Sequence, residues 1–206
     1  MIELYTAGTF NGQRAAIAVN ECGLSCRMRP LNLMSGEHQT PEYRKLNPSA
    51  RIPTLIDPDG PGGRPLTLSQ SWAILFYLAE KTGKLIPRDA LARVRMMQWL
   101  MEGASDMGPT ATNIFFLGNR MPEKVPDSTI KFYENRLVDL FRLGDTQLAS
   151  TPYLAGSELS LADLAIYPIY ARQKAIIDAA GLKNVAIWAE NLAQRPGVQK
   201  GMKLEN

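Results

Sequence analysis

The spacing of the apolar residues changes near residue 85, and this change limits the folds open to the chain. In the first part, short apolar runs of strand length alternate with segments whose apolar residues recur at helical spacing. Strand-like runs cover residues 2–5, 27–31, 53–57 and 65–68, and helical patterns cover residues 12–22, 41–46 and 69–82. Beyond about residue 89 only the helical spacing remains. The chain therefore combines an α/β region with an all-helical region.

The elements of the first region follow the order β-α-β-α-β-β-α, which is the order of the thioredoxin-like fold. In that fold, helices cover both faces of a mixed four-stranded sheet. Gly23 and Gly83 each follow a helical pattern, at the place where a glycine commonly ends a helix. We predict a thioredoxin-like α/β domain over residues 1–84, a linker over residues 85–88 and an all-α domain over residues 89–206.

Composition and charge narrow the classes of function. The net charge of +3 comes from interspersed signs, which favours acidic small molecules over nucleic acid as partners. No apolar stretch reaches the ~18 residues of a membrane span, and the first residues lack the basic start and apolar core of a signal peptide. Cys22 and Cys26 fit neither a disulfide framework nor a zinc site, and His38 is the single histidine. These features predict a reduced cytoplasmic protein without a metal.

The turn Arg51-Ile52-Pro53 precedes the predicted third strand, where a thioredoxin-like domain has a cis-proline. A cis X–Pro bond turns the N–H and C=O of the preceding residue outward, and a peptide ligand can pair with them as an added strand would. The alternative is an ordinary trans proline at the start of an edge strand, which the rarity of cis bonds favours for the dipeptide alone.

The segment Thr9-Phe10-Asn11-Gly12 joins the first strand to the first helix. In thiol–disulfide oxidoreductases this segment carries Cys-x-x-Cys, and here it contains no cysteine. Thr9 and Asn11 can each donate a hydrogen bond to a sulfur anion above the helix N-terminus, which lowers the pKa of a thiol from its usual ~8.5. The alternative is a loop hydroxyl beside an asparagine that caps the helix.

Gln70 and Ser71 open the last helix of the α/β region. Free N–H groups and the positive end of the helix dipole meet there, so a ligand carboxylate would bind well at this point. The alternative is that Ser69 caps the helix and no ligand is involved.

Together these motifs resemble the glutathione transferase family over essentially the whole chain. The resemblance rests on Thr-x-Asn-Gly at residues 9–12, Leu-Asn-Pro-x-x-Arg-Ile-Pro-x-Leu at residues 46–55, Gln-Ser-x-Ala-Ile-x-x-Tyr-Leu at residues 70–78, and the segment of residues 154–165. Within the family, the chain is most similar to the bacterial nu class and the fungal Ure2-like proteins. Like them, it has Gly36-Glu37-His38 and lacks a tyrosine, serine or cysteine at the usual catalytic place.

The resemblance implies glutathione as co-substrate and a homodimer as the assembly. It implies that Asn11 and Thr9 face the glutathione sulfur as the catalytic residues. The binding residues that it implies are Ile52 and Pro53 for the cysteinyl unit, Gln70 and Ser71 for the γ-glutamyl end, and His38 and Arg51 toward the glycyl carboxylate.

The implied activity is that of a glutathione transferase or thiol-disulfide oxidoreductase, in which bound glutathione thiolate acts on disulfides, peroxides or small electrophiles. Three residues depart from the nu-type pattern. Phe10 replaces a proline, Gln70 stands where many relatives have glutamate, and Phe132 aligns with an arginine that reaches the site from the neighbouring subunit. Gln70 and Phe132 support the alternative function, a glutathione-binding regulatory or interaction module with little turnover.

Overall fold

A computed structural model describes residues 1–204 of the chain. Their contacts divide into two compact units. One unit comprises Met1–Leu85 together with the chain from Ala193 onward, and the other comprises Ile86–Leu192. The first unit contains the sheet and the second is helical, which confirms the predicted fold class.

The sheet of the first unit has four strands in the order β2-β1-β3-β4. The strands are β1 (Ile2–Thr6), β2 (Cys26–Pro30), β3 (Thr54–Asp57) and β4 (Leu66–Ser69). β1 runs parallel to β2 and antiparallel to β3, and β3 runs antiparallel to β4. Leu4 pairs with Leu55 in the middle of the sheet, and both side chains are fully buried. The sheet is therefore mixed, as predicted.

The helices of the described residues follow the predicted periodicity closely. They are α1 (Phe10–Cys22), α2 (Pro41–Leu46), α3 (Ser71–Thr82), α4 (Ala90–Glu102), α5 (Gly108–Asn119), α6 (Asp127–Leu148), α7 (Leu161–Arg172), α8 (Lys174–Ala179), α9 (Lys183–Ala193) and α10 (Pro196–Met202). Gly23 and Gly83 end α1 and α3 in the left-handed conformation, with φ of 71° and 65°, which a glycine adopts without steric cost. No helix within residues 1–204 is long and apolar enough to cross a membrane.

The last helix, α10, packs against α1 in the α/β unit. A Cβ atom on Gly201 would lie 2.5 Å from the backbone nitrogen of Ile17, so the two helices approach as closely as a glycine allows. Arg195 also donates to the carboxylate of Glu21 at 2.7 Å. The sequence predicted that residues 193–206 belong to the all-α domain, whereas the contacts place the chain from Ala193 onward in the α/β unit. Helical spacing identifies a helix, but it does not identify the core against which that helix packs.

In the helical unit, a π-helical segment, Gly103–Met107, joins α4 to α5. A capping box is present at the start of α7: the Asp163 carboxylate accepts from the Ser160 N–H at 2.9 Å. The same buried carboxylate accepts from the indole N–H of Trp188 at 3.0 Å and from the N–H of Leu154 at 2.9 Å. Asp163 therefore ties α7 to α9 and to the segment before α7.

Candidate functional site

Three of the predicted motifs lie at one edge of the sheet. Tyr5 pairs with Thr54, and Thr54 pairs with Ser69. The end of β1, the start of β3 and the end of β4 therefore meet at this edge. The chain leaves β1 there toward the start of α1, enters β3 there from Pro53, and leaves β4 there toward the start of α3.

The N-terminus of α1 begins earlier than predicted. The helix starts at Phe10, and the hydroxyl oxygen of Thr9 caps it by accepting from the N–H of Gly12 at 3.2 Å. The alternative in which Asn11 caps the helix is therefore wrong, and Asn11 lies in the first helical turn. A Cβ atom on Gly12 would lie 2.1 Å from the carbonyl oxygen of Ala7, so only glycine lets this turn lie against the end of β1.

Asn11 belongs to a hydrogen-bonded cluster with Arg14 and Ser71. The Nη1 group of Arg14 donates to Oδ1 of Asn11 at 2.5 Å and to Oγ of Ser71 at 2.8 Å. Ser71 Oγ also donates to Oδ1 of Asn11 at 3.3 Å. This cluster joins the starts of α1 and α3, so it brings together two motifs that are 60 residues apart in sequence.

Arg14 belongs to this cluster, although none of the predicted motifs includes it. Its side chain has no exposed surface, and its guanidinium carbon lies 4.1 Å from the ring centroid of Trp72 and 5.7 Å from that of Phe10. Burial lowers the pKa of Arg14 to about 9, so the group stays charged at neutral pH. The sequence does carry one signal, an arginine directly before the apolar run of residues 15–19 on a buried helix.

The turn before β3 has the predicted conformation: the Ile52–Pro53 peptide bond is cis. Within residues 1–204, neither the N–H nor the C=O of Ile52 makes a backbone hydrogen bond. The Ile52 side chain is partly exposed, whereas Pro53 is buried. The main chain of Ile52 therefore has one donor and one acceptor without a backbone partner among residues 1–204.

A buried polar cluster lies behind this turn. The carbonyl oxygen of Arg51 accepts from the Tyr43 hydroxyl at 2.8 Å and from Nδ2 of Asn47 at 2.7 Å. The Thr54 hydroxyl contacts Tyr43 at 2.8 Å and accepts from Nδ2 of Asn47 at 3.2 Å. Tyr43 has a single hydroxyl proton, which goes to Arg51, so Thr54 is the donor in its contact with Tyr43. These bonds fix the main chain immediately before Ile52.

The start of α3 differs from the alternative interpretation, in which Ser69 caps the helix and no ligand is involved. The helix begins at Ser71, its N-cap position is Gln70, and no side chain of the described residues caps it. Gln70 is exposed and has φ of 73°, a conformation that is rare for residues other than glycine. The interpretation of Ser69 as the cap is therefore wrong. Within residues 1–204, no side chain caps the first-turn N–H groups of α3, which lie at the edge that the cis-proline turn also occupies.

His38 lies in a 3-10 turn, Glu37–Gln39, and Arg51 lies in the turn before β3. The His38 side chain is partly buried, and its Nδ1 atom is buried without a hydrogen-bond partner among residues 1–204. The Arg51 side chain is exposed. No hydrogen bond joins either side chain to the other predicted site residues within the described part of the chain, so their place at the site stays a prediction.

The two cysteines are free thiols. Burial is the main cause that raises the pKa of each, and it raises that of Cys26 to about 11, so both are protonated at neutral pH. The described residues contain no group of three or more His, Cys, Asp or Glu side chains arranged to hold a metal ion.

Comparison with known proteins gives matches along most of the chain. Residues 11–81 match the family described as "Glutathione S-transferase, N-terminal domain", and residues 110–203 match "Glutathione S-transferase, C-terminal domain". The chain is 32% identical over 206 residues to "Disulfide-bond oxidoreductase YfcG" of Escherichia coli (strain K12), with 98% of this chain and 94% of that protein covered. It is 29% identical to "Disulfide-bond oxidoreductase YghU" of the same organism, with 97% and 73% covered.

Solved structures of similar proteins contain glutathione. A glutathione transferase from Burkholderia graminis, with two glutathione molecules bound per subunit, superposes with a TM-score of 0.91 at 30% identity, covering 98% of this chain and 87% of that one. A glutathione transferase from Pseudomonas putida, with one glutathione disulfide bound per subunit, gives a TM-score of 0.88 at 32% identity, covering 100% and 92%.

Proposed function

The chain belongs to the glutathione S-transferase family, and on this premise we propose that it is an enzyme that binds glutathione and uses the glutathione thiolate. The observation that carries the proposal is the first turn of α1. Thr9 and Asn11 provide polar groups at the helix N-terminus, and the segment contains no cysteine. The reactive thiol therefore comes from the ligand, and the protein lowers its pKa and holds it in place.

The ligand lies along the sheet edge described above. Its cysteinyl unit pairs with the N–H and C=O of Ile52, and its γ-glutamyl end binds at Gln70 and Ser71, where the positive end of the α3 dipole attracts a carboxylate. The glycyl carboxylate extends toward His38 and Arg51. The rare backbone conformation of Gln70 and the unpartnered main chain of Ile52 support this arrangement, because strained or unsatisfied groups cluster at ligand sites.

Disulfides are the substrate class that the relatives favour, since two of them are named disulfide-bond oxidoreductases and one neighbour structure holds glutathione disulfide. The glutathione thiolate attacks one sulfur of the substrate disulfide, and the other sulfur leaves as a thiolate and takes a proton. A second glutathione thiolate then attacks the mixed disulfide, which releases the second substrate thiol and glutathione disulfide. We also propose that the chain is most similar in type to the nu class and the Ure2-like proteins, because residues 9–12 read Thr-Phe-Asn-Gly and residues 36–38 read Gly-Glu-His.

The assembly that we propose is a homodimer formed through α4. Leu91, Val94 and Met101 recur on one face of this helix and are 59%, 67% and 52% exposed in the single chain. A row of apolar side chains of this kind marks an interaction surface. We expect wild-type protein to sediment as a dimer and Val94→Glu to sediment as a monomer. A dimer that survives Val94→Glu would exclude this face. The reduced state of Cys22 and Cys26 favours a cytoplasmic location.

The test of the activity is the double variant Thr9→Ala, Asn11→Ala. Removing both donors raises the pKa of the bound thiol toward its free value of ~8.5, and the thiolate present at neutral pH falls by about tenfold or more. We therefore expect turnover of a small disulfide, an organic hydroperoxide and an aryl halide to fall by a similar factor, while calorimetry still detects glutathione binding.

The matched control is Asn135→Ala, which removes an exposed asparagine from α6 and should leave turnover unchanged. Equal turnover in the double variant and the wild type, with every substrate, would exclude Thr9 and Asn11 as the catalytic residues. Wild-type protein that binds glutathione but turns over none of the substrates would decide for the regulatory or interaction module.

A further inference from the structure

Arg14 links the two helix starts that the proposed site uses. A single nitrogen, Nη1, donates both to Oδ1 of Asn11 on α1 and to Oγ of Ser71 on α3. Hydrogen bonds from a charged donor are roughly twice as strong as those between neutral groups. The bond to Asn11, at 2.5 Å, is the shorter of the two.

The chemistry of these groups determines which end of the Asn11 amide can face a ligand. An arginine side chain has donors and no acceptor, so the atom of Asn11 that it contacts must be the oxygen. The same oxygen also accepts from Ser71 at 3.3 Å, which uses its second lone pair. The NH₂ group is then the only part of the amide left for a ligand, and it can only donate.

Arg14 itself cannot touch a ligand. Its side chain has no exposed surface, and the ring of Trp72 lies 4.1 Å from the guanidinium carbon. The Phe10 ring lies 5.7 Å away. Any effect of Arg14 on bound glutathione must therefore pass through the residues that it holds.

We propose that Arg14 is a positioning residue that fixes the Asn11 amide with its NH₂ group toward the glutathione sulfur. This proposal rests on the proposed function. Without Arg14, the amide can turn over and present its oxygen, which repels a thiolate. With Arg14 in place, Asn11 supplies a donor in every molecule, and the thiolate is favoured over the thiol.

The experiment measures the thiolate fraction of bound glutathione by its ultraviolet absorbance as the pH is varied. The variants are Arg14→Met, Asn11→Ala and the combination of both, with the exposed Arg142→Met as the matched control. We expect Arg14→Met to reduce the bound thiolate at neutral pH by about threefold, close to the effect of Asn11→Ala and smaller than that of removing Thr9 as well, and the control to reduce it not at all. In the Asn11→Ala background, Arg14→Met should cause no further loss.

Non-additivity separates the positioning role from a merely structural one. Arg14→Met that leaves the thiolate fraction at the wild-type value overturns the proposal. So does a loss of the same size in the wild-type and Asn11→Ala backgrounds, because Arg14 would then act without Asn11. If Arg14→Met does not fold, Arg14→Lys serves in the same cycle, since it keeps a charged donor but not the planar fork. We expect it to give a thiolate fraction between wild type and Asn11→Ala, and a loss of the same size in the wild-type and Asn11→Ala backgrounds would overturn the proposal.

Failure of the proposed function is seen separately. Wild-type protein that gives no heat on titration with glutathione would exclude the glutathione site, and the positioning role with it. Wild-type protein that binds glutathione as a thiolate, and an Arg14→Met variant that does so equally, would exclude the positioning role alone.

Discussion

Tyr43 and Asn47 hold the same two groups behind the Ile52 turn, the carbonyl oxygen of Arg51 and the hydroxyl of Thr54. In Tyr43→Phe or Asn47→Ala, each of these groups keeps one of its two partners. Tyr43→Phe loses two hydrogen bonds, whereas Asn47→Ala loses four, because the amide oxygen of Asn47 also accepts from the N–H and the hydroxyl of Ser49. At about 1 kcal/mol net for each bond, we expect the free energy of unfolding to fall by about 2 kcal/mol in Tyr43→Phe and by about 2–4 kcal/mol in Asn47→Ala, since the bonds to the exposed Ser49 contribute less.

The double variant, Tyr43→Phe with Asn47→Ala, should lose more than the two single variants together. Both shared groups then lack a partner from this cluster, and leaving a buried polar group unsatisfied costs about 1–3 kcal/mol. Thr54 is fully buried, so its hydroxyl cannot turn to bulk water instead. We therefore expect a coupling energy of about 2 kcal/mol or more beyond the sum of the single losses.

Urea unfolding of the four proteins, followed by circular dichroism and tryptophan fluorescence, measures this cycle. Ser49→Ala is the control, because the Ser49 hydroxyl also bonds to Asn47, at 2.8 Å, but the residue is exposed. Its loss should stay within about 0.5 kcal/mol. Losses that simply add in the double variant would refute the shared cluster. Calorimetry should show weaker glutathione binding in the double variant, because the main chain before Ile52 is no longer fixed.

Two further predictions concern packing and pH. Gly201→Ala should lower the free energy of unfolding by about 1–3 kcal/mol because its Cβ meets the α1 backbone, whereas Gly118→Ala on α5 meets nothing closer than 3.9 Å and should raise it by up to about 1 kcal/mol. Burial raises the pKa of Asp57, but the hydrogen bonds from Tyr77 and Lys81 together lower it by more. The net result is a pKa below the ordinary value of 3.8. The stabilisation by Asp57 is therefore complete above about pH 4 and is lost as the pH falls through the lowered pKa. In urea unfolding, the difference in the free energy of unfolding between wild type and Asp57→Asn should become smaller in that acid range. A difference that stays constant would contradict this role of Asp57.

Local chemistry made much of the α/β unit predictable. The helix Pro41–Leu46 matches its predicted bounds, because Thr40 and Pro41 favour a start and Pro48 ends the helical pattern. Gly23 and Gly83 likewise marked the ends of their helices through the left-handed conformation that they adopt. These signals lie within a few residues of the feature that they predict.

Features that depend on distant residues were not predictable in this way. Arg14 is buried because Ser71 accepts its hydrogen bond from 57 residues away and because Trp72 covers it. The sequence of α1 alone does not indicate that Ser71 or Trp72 contacts Arg14. The packing of α10 on α1 is a second case, since Gly201 marks a close approach but not the helix that it approaches. The sequence thus predicted the residues that we propose to face the ligand, but not Arg14, which holds one of them.

The identity of residue 11 follows from the two demands made on it. On its inner side it accepts from Arg14, and in the proposed site it donates on its outer side to a sulfur anion. Asparagine meets both demands, whereas aspartate could only accept on both sides and alanine could do neither. A serine hydroxyl has the right groups but is too short to span both positions. The Asn11–Arg14 pair therefore fits the proposed site, in which the thiol arrives on the ligand, because a protein-borne cysteine would itself occupy the helix N-terminus that Thr9 caps and Asn11 flanks.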